Sequence, residues 1–207
     1  MRIGLVPVSA KPYHIGHHAL VTRAAEENDQ VLLFVSTSDR KRKGEVPILG
    51  ADMEKIWKEE IEKVLPGNVM IAYGGSPVQK VYGVLEGAEA EIADKGSIDD
   101  IYTVYSDPSD TKINYSMPYR EKYFPQTWSL GNVVFAAEED PGSFTRGEGT
   151  PNVSGTSVRR SLQSCDFSAF SAALPDGVDK EKIFNTLCPG VKEGSLIRQY
   201  IKHMIKG

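Results

Sequence analysis

The sequence predicts an α/β fold, a doubly wound parallel five-stranded sheet of Rossmann-like type with C-terminal helices, on three observations. Five short apolar runs recur along the chain. They are continuous and rich in β-branched residues rather than alternating, as strands buried on both faces are. Stretches of helical length separate them, and strand, helix, strand repeated in this way builds a parallel sheet covered by helices.

The first run, residues 3–8, leads into a helical stretch over 17–28. The second, 31–35, precedes the charged segment Ser38-Asp39-Arg40-Lys41-Arg42-Lys43 and a helix over 51–65. Pro66-Gly67-Asn68 ends that helix and Gly74-Gly75-Ser76-Pro77 opens the next, over 78–93, so 69–73 between them is a strand bounded by turn residues. Residues 101–105 and 133–137 are the fourth and fifth strands, with the polar loop 106–110, the aromatics Tyr115, Tyr119, Tyr123 and Trp128, and a helix over 119–124 between them. The Gly-, Pro- and charge-rich segment 138–151 reads as mobile, closing over a ligand. Beyond it, Ile183, Phe184 and Leu187, then Leu196, Ile197, Tyr200, Ile201 and Met204, are spaced for one buried helix face. Residues 1–165 are therefore expected to form the α/β domain and 166–207 a helical appendage of it.

At 207 residues, 40% hydrophobic and 25% charged, the chain can bury one sizeable core. A net charge of −4 argues against a general nucleic-acid or anionic-membrane surface, while leaving room for a local basic pocket. No apolar segment has signal or membrane length, so the expectation is a cytoplasmic protein with no membrane partner and no stable nucleic-acid partner. Cys165 and Cys188 are the only cysteines, too few for a disulfide framework and without metal-site spacing, and buried free thiols are expected. A homo-oligomer is neither required nor excluded, because exposed apolar patches are not legible in a sequence.

Two segments carry chemistry. Pro12-Tyr13-His14-Ile15-Gly16-His17 follows the first strand and opens the first helix, where backbone N–H groups and the positive helix end attract phosphate. His14 and His17 are three residues apart and in a helix share a face. Gly16 removes a side chain that would keep phosphate from the backbone. Imidazoles donate hydrogen bonds and carry charge near neutral pH. Zinc is disfavoured, since beyond these and His18 only His203 remains and no cysteine is near. The second segment is Val153-Ser154-Gly155-Thr156-Ser157-Val158-Arg159-Arg160, in which Ser154 or Thr156 can cap a helix whose first turns carry two guanidinium groups. Alone, such a segment is an ordinary helix start.

Together the two segments resemble the HxGH and (I/V)S(S/G)TxxR signatures of the nucleotidyltransferase superfamily, which includes nicotinamide-nucleotide and pantetheine-phosphate adenylyltransferases and the cytidylyltransferases. They occur in that family's order, and the likeness spans about the first four-fifths of the chain. Val8 and Ala10 stand where many adenylyltransferases have glycine and phenylalanine, and Lys11 adds a cation before Pro12. The resemblance implies transfer of a nucleoside monophosphate from ATP to a small phosphorylated acceptor with release of pyrophosphate, closest to nicotinamide-mononucleotide adenylyltransferases. The alternatives are cytidylyl transfer from CTP to a phosphorylated alcohol or sugar, and a non-catalytic nucleotide sensor. It further implies that His14, His17 and Arg159 are catalytic and that Lys11, Gly16, Ser154, Gly155, Thr156 and Arg160 bind nucleotide phosphate. Arg40, Lys41, Asp107 and Trp128 fall to the acceptor, with a solvated charge run, helix capping and core packing as their ordinary alternatives. Mg²⁺ is expected to arrive with the triphosphate, with no dedicated protein ligands.

Overall fold

A computed structural model describes residues 1–144, 147 and 150–188. Its strands β1 (Arg2–Val8), β2 (Gln30–Val35), β3 (Val69–Tyr73), β4 (Ile101–Val104) and β5 (Val133–Phe135) form one all-parallel sheet in the order β3-β2-β1-β4-β5. The α-helices among the described residues are α1 (Ile15–Glu27), α2 (Gly50–Ile56), α3 (Pro77–Lys95), α4 (Pro108–Asn114), α5 (Met117–Tyr123), α6 (Pro125–Ser129), α7 (Ala136–Glu139), α8 (Gly155–Gln163), α9 (Phe167–Ala172) and α10 (Lys180–Leu187). The fold is thus the α/β class read from the sequence, a Rossmann-like doubly wound sheet flanked by helices. β1 is central and the strand order reverses beside it, so the chain leaves β1 at the switch point, where open α/β sheets place their ligands.

Contacts group the chain into two compact units. The first is Met1–Ala10, Gly16–Thr37 and Leu65–Asn152; the second is Lys11–Ile15, Ser38–Val64 and the described residues from Val153 onward.

In the first unit, Leu5, Phe34, Val104 and Phe135 from the sheet pack with Val81, Leu85 and Ala88 of α3 and with Tyr115 and Phe124. α3 starts where Ser76 accepts a hydrogen bond from the Gln79 amide and ends at Gly96, whose φ of 85° suits glycine. Behind it, Gly74 and Gly75 take φ of 86° and 68° and turn the chain out of β3. The end of α1 is tied to the end of β4 by polar bonds: Asn28 donates to the Ala24 carbonyl and the Tyr105 hydroxyl, and Tyr105 donates to Glu27. β3 is an edge strand, which explains why its apolar run is only half buried and why Met70 is exposed. The 133–137 run is shorter as a strand than the sequence suggests, because Ala136 and Ala137 begin α7.

Segment 138–151 begins inside α7 and continues through a 3₁₀ turn, Gly142–Phe144. Arg23 of α1 holds this end, 3.3 Å from Asp140 and 4.7 Å above the Phe144 ring, while residues 145, 146, 148 and 149 lie outside the described residues.

In the second unit, the expected 51–65 helix is α2 continued by a π turn (Trp57–Ile61) and a 3₁₀ turn (Glu62–Val64). Trp57 is fully buried, edge-on to Tyr13. Buried Glu60 accepts from Lys182 (2.6 Å) and from the Asp179 amide (3.2 Å), the latter residue capping α10. Ile183, Phe184 and Leu187 form the buried face of α10, and Leu196, Ile197, Tyr200, Ile201 and Met204 lie outside the described residues. The cysteines depart from expectation: Cys165, just past α8, and Cys188, just past α10, are disulfide-bonded, with Cα atoms 6.1 Å apart. Packing of α9 against α10, with Phe170 and Phe184 at 5.3 Å, accompanies a nearness that a 23-residue separation does not reveal. No helix among the described residues is long and apolar enough to cross a membrane.

Candidate functional site

The chain leaves β1 through Ala10, whose φ of 43° is rare for a residue with a side chain. Lys11, Tyr13 and His14, which follow, are all buried. α1 starts at Ile15, so His14 precedes the helix and His17 is its third residue. The shared helical face expected of the two histidines therefore does not arise, because the helix begins after the first of them. The Ile15 amide, the first of the N–H groups expected to face phosphate, donates instead to the Ala173 carbonyl at 2.9 Å. Gly16 is buried and His17 partly so; both belong to the first unit, His14 to the second.

The second unit brings residues from three distant segments together around Arg159. α8 is opened by a reciprocal cap in which the Ser154 hydroxyl accepts from the Ser157 amide (3.0 Å) and the Ser157 hydroxyl from the Ser154 amide (3.1 Å). That cap aligns the first turn, and Arg159 turns back along it. Its Nη2 donates to the Thr156 hydroxyl (3.0 Å), its Nη1 to the Lys11 carbonyl (3.0 Å), and its Nε lies 3.0 Å from the Glu45 carboxylate. Only 8% of Arg159 is exposed, so its orientation is set by these partners rather than by solvent. Arg160, one residue on, is exposed.

Lys11 adds a second buried cation, 8% exposed, with Nζ donating to the Ser38 hydroxyl at 2.8 Å. Burial pushes its pKa below the ordinary lysine value, with Asp39 acting in the opposite sense.

The basic segment after β2 is a hairpin rather than a free run. Arg40 and Ile48 exchange backbone hydrogen bonds (2.8 and 3.0 Å), and Gly44, at φ 80°, turns the tip. Glu45 follows at that tip and receives Arg40 through two bonds, Nε at 2.8 Å and Nη2 at 3.1 Å. Arg40 and Arg159 thus grip one carboxylate. Lys41 instead pairs with Asp39 at 2.7 Å, and Asp39 also accepts from the Gly50 amide at the start of α2.

The two remaining candidates lie in the first unit. Asp107 caps α4, accepting from the Ser109 amide at 2.8 Å. Trp128 lines a cavity of about 450 Å³ with Pro108, Thr111, Tyr115, Met117, Arg120 and Glu138 among its other walls. Arg120, 3% exposed, lies 4.4 Å from the Trp128 ring and forks onto Glu138. Glu45, Arg120 and Glu138 were not singled out by the sequence; an acid placed directly after four cations and a glycine was the available signal for Glu45.

Gly155 bears on Arg159 directly. A Cβ there would stand 2.9 Å from Arg159 Nη1, the nitrogen bonded to Lys11. Gly155→Ala is expected to displace that nitrogen and destabilise the protein by about 1–3 kcal/mol, the scale of one charged hydrogen bond. Thermal unfolding checks this; an unchanged midpoint would mean that the Lys11 contact contributes nothing to the fold.

Among the described residues no group of three or more His, Cys, Asp or Glu side chains is placed to hold a metal ion. No family model matches the chain, and no curated protein matches it.

Proposed function

We propose that this chain is a nucleotidyltransferase: it moves a nucleoside monophosphate from a Mg²⁺-bound nucleoside triphosphate, ATP in the first instance, to a small phosphorylated acceptor and releases pyrophosphate. The nearest analogue is nicotinamide-mononucleotide adenylyl transfer. One observation carries the reading. Arg159, in the segment that resembles STxxR, donates to the main-chain carbonyl of Lys11, which stands just before the segment that resembles HxGH, 148 residues away in the sequence. Chance helix starts have no reason to meet. That contact supports reading the two motif-bearing segments together.

The chemistry asks for alignment and charge neutralisation, since both reactants are anions. An acceptor phosphate oxygen attacks the α-phosphorus in line; the bond from that phosphorus to the bridging oxygen breaks, and the electron pair leaves with pyrophosphate. Arg159, oriented by the Thr156 hydroxyl and the Lys11 carbonyl, serves as the guanidinium for the β- and γ-phosphates, and the resemblance puts Lys11 among the phosphate-binding residues. The resemblance assigns His14 and His17 the role of donors to the bridging and pyrophosphate oxygens. Mg²⁺ comes as part of the substrate.

The test is pyrophosphate release with Mg²⁺ and either ATP or CTP over nicotinamide mononucleotide, phosphopantetheine, glycerol 3-phosphate and phosphocholine. Release with one pair names the reaction. CTP-dependent release moves the assignment to cytidylyl transfer, and nucleotide binding without release over the panel moves it to a sensor.

A further inference from the structure

Glu45 stands where an anion belongs. Its carboxylate takes two hydrogen bonds from Arg40 and lies 3.0 Å from Arg159, and the guanidinium groups around it repel one another: Arg40 and Arg42 both act to lower the Arg159 pKa, after burial, while Glu45 raises it. These arginines hold Glu45 below the usual carboxylate range, Arg40 foremost. The charges acting on the Glu45 carboxylate are those of Arg40, Arg159 and Arg42. A single carboxylate leaves this cluster short of negative charge.

Two features let Glu45 leave without dismantling the rest. Arg159 is fixed from its other side by the Lys11 carbonyl and the Thr156 hydroxyl, so it keeps its aim when the carboxylate goes. Glu45 sits at the tip of a hairpin paired at Arg40 and Ile48, its amide held by the Arg42 carbonyl while its side chain projects from the turn, and the Gly44 that precedes it has open space on its Cβ side.

We infer that Glu45 is a built-in occupant of a polyphosphate subsite: the terminal phosphate of an incoming triphosphate displaces its carboxylate and is then held by Arg40 and Arg159 together. A phosphate group offers more anionic oxygens than a carboxylate and accepts the same forked guanidinium bonds, so the exchange is favourable in charge and matched in geometry. Arg40 accordingly works on the triphosphate rather than on the acceptor. The consequence is an affinity set below what the cationic groups alone would give, which eases release of the pyrophosphate product from the same place. The inference deepens the nucleotidyl-transfer reading but rests for its test on anion binding alone.

The experiment is calorimetric titration of inorganic triphosphate, without Mg²⁺ and at low salt, into wild-type protein, Glu45→Gln and the double variant Glu45→Gln/Arg40→Gln. Glu45→Gln keeps the side-chain shape, removes the competing charge and is expected to bind about tenfold more tightly, a gain that added salt reduces. The double variant is expected to lose that gain. Equal or weaker binding by Glu45→Gln overturns the proposal, as does failure of both proteins to bind, or a gain that survives loss of Arg40. If the gain appears but no nucleotide releases pyrophosphate over the panel, the anion site stands and the nucleotidyl-transfer assignment falls.

Discussion

Arg159→Ala is expected to lower pyrophosphate release at least about 100-fold, the scale of losing one preorganised charged donor. The guanidinium is almost wholly buried, it is oriented by partners from three segments, and it shares the Glu45 carboxylate with Arg40. Arg159→Lys is expected to recover little, because a single ammonium cannot reach Lys11, Thr156 and Glu45 at once. Steady-state kinetics with the pair identified in the panel provides the measurement, with thermal unfolding as the control for folding. Truncation also removes one of the two guanidinium groups held on the Glu45 carboxylate, so the variant is expected to bind inorganic triphosphate weakly as well. Near-wild-type turnover in a folded Arg159→Ala protein would remove the basis of the assignment.

His17→Ala is expected to reduce turnover by two orders of magnitude or more, the scale of losing one preorganised donor, the role that the resemblance to HxGH gives it. His17 is the third residue of α1, one beyond buried Gly16, at the helix end where the dipole and the backbone donors favour developing negative charge. A kcat effect with a smaller change in KM is expected, because the donor matters most as charge moves onto the leaving pyrophosphate. His17→Gln keeps a hydrogen-bond donor and is expected to fall between the two. Unchanged turnover in folded His17→Ala would show that the resemblance of the first segment to HxGH does not extend to its chemistry.

The sheet was legible because parallel strands buried on both faces leave long unbroken apolar runs, and β1, β2 and β4 were placed to within one or two residues of their ends. The half-buried edge strand β3 was still found because Pro66-Gly67 and Gly74-Gly75 bracket it. The fifth strand was overrun since alanine serves an apolar strand end and a helix start alike. In the candidate site, Arg159 was read from a short motif whose residue types suit phosphate, and Lys11 as an extra cation just before the other motif. Glu45 was missed because its significance lies in what it faces, and that depends on a hairpin that turns at Gly44 and returns to Arg40 through Ile48.

What the sequence alone determined is the α/β architecture, the order of its elements and the placement of a cationic and imidazole-bearing segment at the end of β1, since these depend on periodicity and on residues near one another in the chain. Only the tertiary structure decided that Arg159 bonds to the Lys11 carbonyl, that Arg40 joins it through Glu45, that Lys41 and Asp107 are engaged by local partners, and that Cys165 and Cys188 are bridged. The physical reason is common to all of them: a side chain's partner is set by proximity in space, and burial, which makes those contacts strong, is a property of packed elements and not of any one segment.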